Sequence, residues 1–247
     1  MNYKISILGL GWFGSKLADQ LLSDYEVIGS TRSHPKIKAF HEKGIKADIL
    51  IPGEKYPVQL FQADTIVINI PPFIHQLDWF KSWPIDKKTH VIFISSTSVY
   101  GELEGIVDEK TNPQPDTENA KYLLEQEKWI STFENYTIVR FGGLIGPDRH
   151  PGKYLSGRKN IAGGNQAVNL IHLDDAIGFI KMVIEKKFKA ETFNLVHTEH
   201  PSRESYYSEY CRAHQLNLPE FIPGKSEGKK ISNAKVFQYY AVSPLKI

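Results

Sequence analysis

Gly9-Leu-Gly11-Trp-Phe-Gly14 is the segment of this chain whose residue types and spacing most directly imply chemistry. Glycines at this spacing let the chain turn tightly, let its backbone approach a pyrophosphate, and let a following helix pack against the preceding strand. The first N–H groups of that helix then face the phosphates, and the helix dipole favours their negative charge. Trp12 and Phe13 open the helix and join Gly9, Gly11 and Gly14 as residues expected at a dinucleotide, with Trp12 packing beneath the loop. Three structural glycines with no ligand would be the bland alternative. The apolar run before the turn and the amphipathic run after it argue for the ligand.

A second group bears on which dinucleotide this is. NAD-binding turns place an acid about 20 residues beyond the glycines, where it meets the ribose 2′-hydroxyl. This chain has Ser30-Thr31-Arg32-Ser33 there, with nothing acidic. The planar guanidinium of Arg32 suits a 2′-phosphate, and hydroxyls such as that of Thr31 add hydrogen bonds. NADP is therefore expected in preference to NAD. The competing reading is that Arg32 is a solvated surface side chain.

Further candidates are spread along the chain. Ser96 lies in the hydroxyl run Ser95-Ser96-Thr97-Ser98 at the end of an apolar stretch, a place where ligands meet a parallel sheet. Tyr154, His150 and His172 come from a looser second half and are read either as substrate or proton-transfer groups or as loop anchors. Arg158 and Lys159 follow a glycine-rich loop and either grip a substrate phosphate or are solvated charges. In His172-Leu-Asp174-Asp175 the acids read as the start of a helix, and the nine histidines show no paired ligand spacing, so no metal is expected. Trp79, Trp83 and Trp129 read as core or helix-docking aromatics.

The elements that must hold these residues follow from hydrophobic periodicity. Apolar strands are expected at Tyr3 to Leu8, Glu26 to Gly29, Lys46 to Leu50, Asp64 to Asn69, His90 to Ser95 and Thr137 to Arg140. Helices are expected at Trp12 to Leu22, Lys36 to Lys43 and Glu118 to Phe133. Strands apolar on both faces and alternating with helices imply a doubly wound parallel sheet, an α/β fold of Rossmann type. Residues 1–141 would form the dinucleotide-binding core. Residues 142–247, punctuated by glycine and proline, would complete the sheet and form a small substrate lobe of the same structural unit, with helices near Asp174 to Lys187 and Arg203 to His214.

Composition sets outer limits. The 247 residues carry a formal charge of +2 and no basic stripe, which argues against a dedicated nucleic-acid binder. A single cysteine, Cys211, excludes an internal disulfide and fits a reducing compartment. No run approaches the roughly 20 apolar residues of a membrane span, so a cytoplasmic protein with a small-molecule substrate is the expectation.

Together the glycine turn and Ser95-Ser96-Thr97-Ser98-Val99-Tyr100-Gly101 resemble the extended short-chain dehydrogenase/reductase superfamily, in its epimerase and dehydratase branch. Arg140-Phe-Gly-Gly-Leu-Ile-Gly146-Pro147, Asn169-Leu-Ile-His172-Leu-Asp174-Asp175 and Phe193-Asn194-Leu195 agree, in the family's order. Gly152-Lys-Tyr-Leu-Ser-Gly157 and Lys229-Lys-Ile-Ser-Asn233 are similar to a compact subgroup described as sugar-nucleotide epimerase-like. The first glycine of the family's usual GxxGxxG is replaced by Leu8, and Gly9 supplies the turn. The resemblance implies that Ser96 hydrogen-bonds a substrate carbonyl or alcohol, that Asp48 lies near adenine, and that the backbone at Ile70 and Pro71 passes the cofactor. It implies that Lys121 binds the nicotinamide ribose, that Tyr100, a candidate at the substrate, is more often a packing residue, and that two chains can pair through helices on one sheet face.

One departure bears on activity. The family's Tyr-x-x-x-Lys becomes Thr117-Glu-Asn-Ala-Lys121. A threonine at that place is too short to reach the tyrosine's working position, and an aliphatic alcohol cannot be tuned toward neutrality as a phenol near 10 can. Two readings follow. The first is an NADP-dependent oxidoreductase or epimerase-like protein acting on a carbonyl or hydroxyl of a small, nucleotide-sugar-like substrate, with Ser96, Lys121 and Thr117 at its centre. The second is a non-catalytic NADP(H) sensor or regulatory protein.

Overall fold

The computed structural model describes residues 3–245. In chain order its elements are β1 (Lys4–Leu8), α1 (Trp12–Leu21), β2 (Glu26–Thr31), α2 (His34–Glu42), β3 (Lys46–Ile49), β4 (Thr65–Ile68), α3 (Gln76–Lys81), β5 (His90–Ser96), β6 (Gly105–Val107), α4 (Glu118–Ile130) and β7 (Tyr136–Phe141). There follow β8 (Gly143–Ile145), α5 (Pro151–Leu155), β9 (Ile161–Ala162), β10 (Leu170–His172), α6 (Leu173–Lys186), β11 (Glu191–Leu195), α7 (Arg203–Ala213), β12 (Phe221–Ile222) and β13 (Lys229–Ile231).

Seven strands form one parallel sheet in the order β11-β7-β5-β4-β1-β2-β3. The chain builds outward from β1 to β3, returns to β4 on the other side of β1, and continues outward from there. This reversal leaves a crevice at the carboxyl ends of β1 and β4, the place where doubly wound sheets bind ligands. The expected fold class is borne out. The central strands are apolar on both faces because helices cover both: Ile5, Ile7, Leu8, Ile66, Val67, Ile68, Val91, Ile92 and Phe93 are all fully buried. At roughly 25 cal/mol per Å² of apolar surface, such a layer is the main source of the sheet's stability.

The chain divides into two compact units. The first comprises residues 1–96, 117–140 and 177–192, and the second residues 97–116, 141–176 and 193–247. In the first unit α1 buries Phe13, Leu17, Ala18 and Leu21, a stripe at helical spacing. The helix α4 buries Ala120, Leu123, Gln126, Glu127 and Ile130 in the same way. Two of these five are polar, and each has a partner inside. Glu127 receives both Arg140 Nε at 3.0 Å and Arg140 Nη2 at 2.6 Å, and Ser95 Oγ donates to it at 2.6 Å. The Gln126 carboxamide donates to Gln76 Oε1 at 2.7 Å and so ties α4 to α3.

The second unit holds three two-stranded parallel pairs, β8 with β10, β9 with β12 and β6 with β13. The stretch after residue 141, read from sequence as mostly loop, thus contains short strands and the five-residue helix α5. Strands of two or three residues fall below the length at which alternation can be recognised. A cluster of Ile145, Val168, Leu170, Tyr206 and Tyr207 forms a core in this unit. No helix of the described residues is long and apolar enough to cross a membrane.

Candidate functional site

β1 ends at Leu8, and the chain turns at Gly9 with φ +109°, in the region that side chains disfavour. A Cβ here would fall on the Asn69 carbonyl oxygen, so the turn demands glycine. A Cβ at Gly14 would fall on the Gly9 carbonyl oxygen, so the approach of α1 to β1 demands glycine as well. Gly11 differs from both. No atom lies within 4 Å of the Cβ it lacks, so the chain's own packing does not require glycine there. What the missing side chain leaves open is the approach to the start of α1. Gly11 is the N-cap of that helix, and no side chain caps it. An external acceptor such as the pyrophosphate of a dinucleotide can therefore approach the positive end of α1 past Gly11.

The neighbouring strand ends are locked to this turn. Asn69 donates its backbone N–H to Leu8 O at 2.8 Å and its carboxamide to Gly9 O at 3.1 Å. Gly9 N donates to Ser30 Oγ at 3.1 Å, and Leu10 N to Ser30 O at 2.7 Å. The ends of β1, β2 and β4 therefore move as one piece.

They bound a cleft of about 810 Å³. Its wall runs through Gly9 to Gly11, Ser30 to Ser33 with Lys36, Leu50 and Pro52, Asn69 to Phe73, and Trp79. Its cations are Arg32 and Lys36, both exposed, and among the described residues no carboxylate lines it. Hydroxyls of Ser30, Thr31 and Ser33 stand beside them, and Thr31 Oγ1 accepts from Ser33 N at 3.2 Å, which shapes the loop. The opposite wall is apolar and aromatic, with Phe73 and Trp79 rings 5.8 Å apart.

Of the residues expected at a cofactor, Gly9, Gly11, Thr31, Arg32, Ile70 and Pro71 line this cleft. Gly14 and Phe13 are buried in the α1 packing, and Trp12 is half-buried beside them. Asp48 is not on the cleft wall and accepts from Gln59 Nε2 at 3.0 Å. Sequence reading missed Lys36, Asn69, Phe73 and Trp79. Lys36 stands in the first turn of α2 but Arg32 lies before that helix, so no helical period linked the two. Asn69 was legible as a strand end but not as the clasp of the glycine turn, because its partner is 60 residues away.

The three residues expected to be catalytic also fall in the first unit. Ser96 ends β5 and is half-buried, at the same edge of the sheet as Gly9 and Ile70. Thr117 has an extended backbone (φ −110°, ψ 153°) and is the N-cap of α4, one turn before Lys121, whose N–H donates to the Thr117 carbonyl at 3.0 Å. Its hydroxyl accepts from Ala120 N at 3.3 Å and caps the helix. Lys121 is half-exposed and bonded to Glu118 Oε1 at 2.7 Å. The hydrogen bond to the Glu118 carboxylate, and then its charge, raise the Lys121 pKa.

The other residues expected at a substrate fall in the second unit. Tyr100 is fully buried in the second unit, its phenol shared between Asp108 O at 2.9 Å and Asn194 Oδ1 at 3.0 Å. His172 accepts at Nδ1 from Asp174 N at 3.3 Å, and its backbone N–H donates to His197 Nε2 at 3.0 Å. His150 caps α5 through Nδ1, which accepts from Gly152 N at 3.1 Å, and its other nitrogen meets Tyr206 Oη at 3.0 Å. Burial, and then the nearby His214, press the His150 imidazole down to about 4. Tyr154 is 70% exposed, and Arg158 is exposed on the loop after α5.

No protein-family model matches the sequence. Solved structures share its fold. A conserved protein of unknown function from Silicibacter pomeroyi superposes with a TM-score of 0.80 at 19% identity, covering 96% of this chain and 91% of that one. A putative NAD-dependent epimerase/dehydratase from Methylobacillus flagellatus gives 0.78 at 24% identity, covering 98% and 93%. A UDP-glucuronic acid 4-epimerase from Bacillus cereus, in complex with NAD, gives 0.78 at 21%, covering 99% and 94%. In sequence, protein YeeZ of Escherichia coli K12 is 31% identical over 98% of this chain and 97% of its own length. With both chains matched from end to end at that level, the protein belongs to the YeeZ family.

Proposed function

We propose that the protein binds NADP(H) in the cleft of its first unit and acts as an oxidoreductase or epimerase-like protein on a carbonyl or hydroxyl of a small, nucleotide-sugar-like substrate. The observation that carries the reading is the pairing of a glycine turn left open at Gly11 with a rim that holds Arg32 and Lys36 and, among the described residues, no carboxylate. A 2′-phosphate placed at that rim meets two cations, and no acid opposes it. Gly9 and Gly11 would admit the pyrophosphate, and Phe73, Trp79 and Leu50 would wall the apolar part. Bound there, the dinucleotide supplies a hydride donor or acceptor. Ser96 would hold the substrate oxygen from the end of β5. The epimerase branch is favoured by the fold shared with the Methylobacillus and Bacillus proteins, and the Bacillus enzyme binds NAD.

A second reading, a non-catalytic NADP(H) sensor, is favoured by what Thr117 and Lys121 do. One hydroxyl is spent on a helix cap and one ammonium on Glu118, so neither is poised to carry a proton. Turnover of NADPH with a panel of aldehydes, ketones and sugar nucleotides separates the two. The first reading expects turnover with at least one class, lowered by about two orders of magnitude in Ser96→Ala. Saturable NADPH binding with no turnover across the panel would support the sensor.

A further inference from the structure

The second unit holds a smaller cavity of about 390 Å³, within the range of small-molecule sites. Two arginines line it from different parts of the chain. Arg149 comes from the loop before α5 and Arg203 from the first position of α7. Arg203 is held in place, because its Nη1 donates to Ala162 O at 2.8 Å and its guanidinium lies 5.9 Å from the centre of the Phe221 ring. Its charge also reaches Tyr207, where it works against the burial that raises that phenol. Leu144 and Leu155 form an apolar floor, and Tyr154 stands 70% exposed at the cavity's side. Among the described residues no carboxylate lines the cavity.

We propose that this cavity binds a small ring-bearing oxyanion, a phosphate or carboxylate carried on a flat body. Guanidinium forks match the geometry of both anions, and two forks at one cavity bring their charge to bear on a single head group. The leucine floor and the Tyr154 ring give the body of the ligand a surface that a free anion would not use. Tyr154, exposed as it is, has no core role that would explain its place here. The site involves no residue of the dinucleotide cleft and does not rest on the cofactor reading.

The test is calorimetric titration of the full-length protein, without dinucleotide, with phenyl phosphate, benzoate and inorganic phosphate. Saturable binding of at least one ring-bearing anion, tighter than that of inorganic phosphate, is expected. A stronger response to phenyl phosphate names a phosphate head group and a stronger response to benzoate a carboxylate, and both support the site. Arg149→Ala should weaken the better ligand about 10-fold or more. Tyr154→Ala should weaken the ring-bearing anions and leave inorganic phosphate unchanged. Both side chains are exposed, so these variants keep the test independent of Arg203→Ala, which also removes the bond to Ala162. The proposal is overturned if no ring-bearing anion binds saturably. It is equally overturned if binding survives Arg149→Ala together with Arg203→Ala, or if it is lost in Arg32→Ala instead.

Discussion

The three glycines of the first turn do different work, and single substitutions separate them. At Gly14 an added methyl meets the backbone oxygen of Gly9, which cannot step aside without parting α1 from β1. Gly14→Ala should therefore cost several kcal/mol, read as a fall in thermal midpoint. At Gly11 the same methyl meets nothing within 4 Å. Gly11→Ala should leave the midpoint within a few degrees of wild type yet weaken NADPH binding, because the methyl occupies the approach to the α1 donors. Loss of stability in Gly11→Ala, or unchanged binding, would count against the cleft as a phosphate site. The buried Glu127–Arg140 pair gives a third outcome. Glu127→Ala removes the carboxylate partner of a guanidinium whose side chain is only 8% exposed, together with the acceptor of Ser95, a loss of about 3–5 kcal/mol in denaturant unfolding.

At the scale of elements, α4 shows what sequence could and could not say. Its extent was legible, because Ala120, Leu123 and Glu127 repeat at helical spacing and Thr117 precedes them as a good N-cap. Thr117→Ala should cost about 1 kcal/mol of stability and leave NADPH affinity unchanged if the hydroxyl serves only the helix. Thr117 stands one turn before Lys121 at the start of α4, and its hydroxyl accepts from the helix's own Ala120 N–H. The glycine turn and the end of β2 were legible because their demands are local: a positive φ, a close approach, a cationic strand end. The six-residue helix α3 was not, since it follows Pro71-Pro72 and is too short to show a period. It brings Trp79 to the cleft, while Phe80 and Trp83 stay in the core as their composition suggested. The short strands of the second unit escaped for the same reason of length, and their pairings are fixed by partners far away in the chain.

Across the whole molecule, acid should act through buried histidines in each unit. His90 is held near 4, chiefly by burial and then by the charge of Lys187, and its ring meets Thr137 Oγ1 at 3.1 Å. His150 is held near 4 as well. Both rings fold neutral, whereas the unfolded chain takes up protons near the ordinary 6.5. Their contribution is full above about pH 6.5 and is lost as pH falls toward 4, so unfolding free energy should rise with pH through that window. A His150→Asn variant keeps an acceptor for the α5 cap and should flatten the profile. An unchanged slope would show that His150 does not titrate with folding.

If the proposed function holds, the cleft of the first unit favours a dinucleotide carrying a 2′-phosphate. This is tested by equilibrium titration of the wild-type protein and of Arg32→Ala with NADPH and with NADH. NADPH is predicted to bind the wild type at least about 10-fold more tightly than NADH, and Arg32→Ala to erase most of that difference with little effect on NADH. Equal affinity for the two dinucleotides in the wild type, or a preference for NADH, would contradict it.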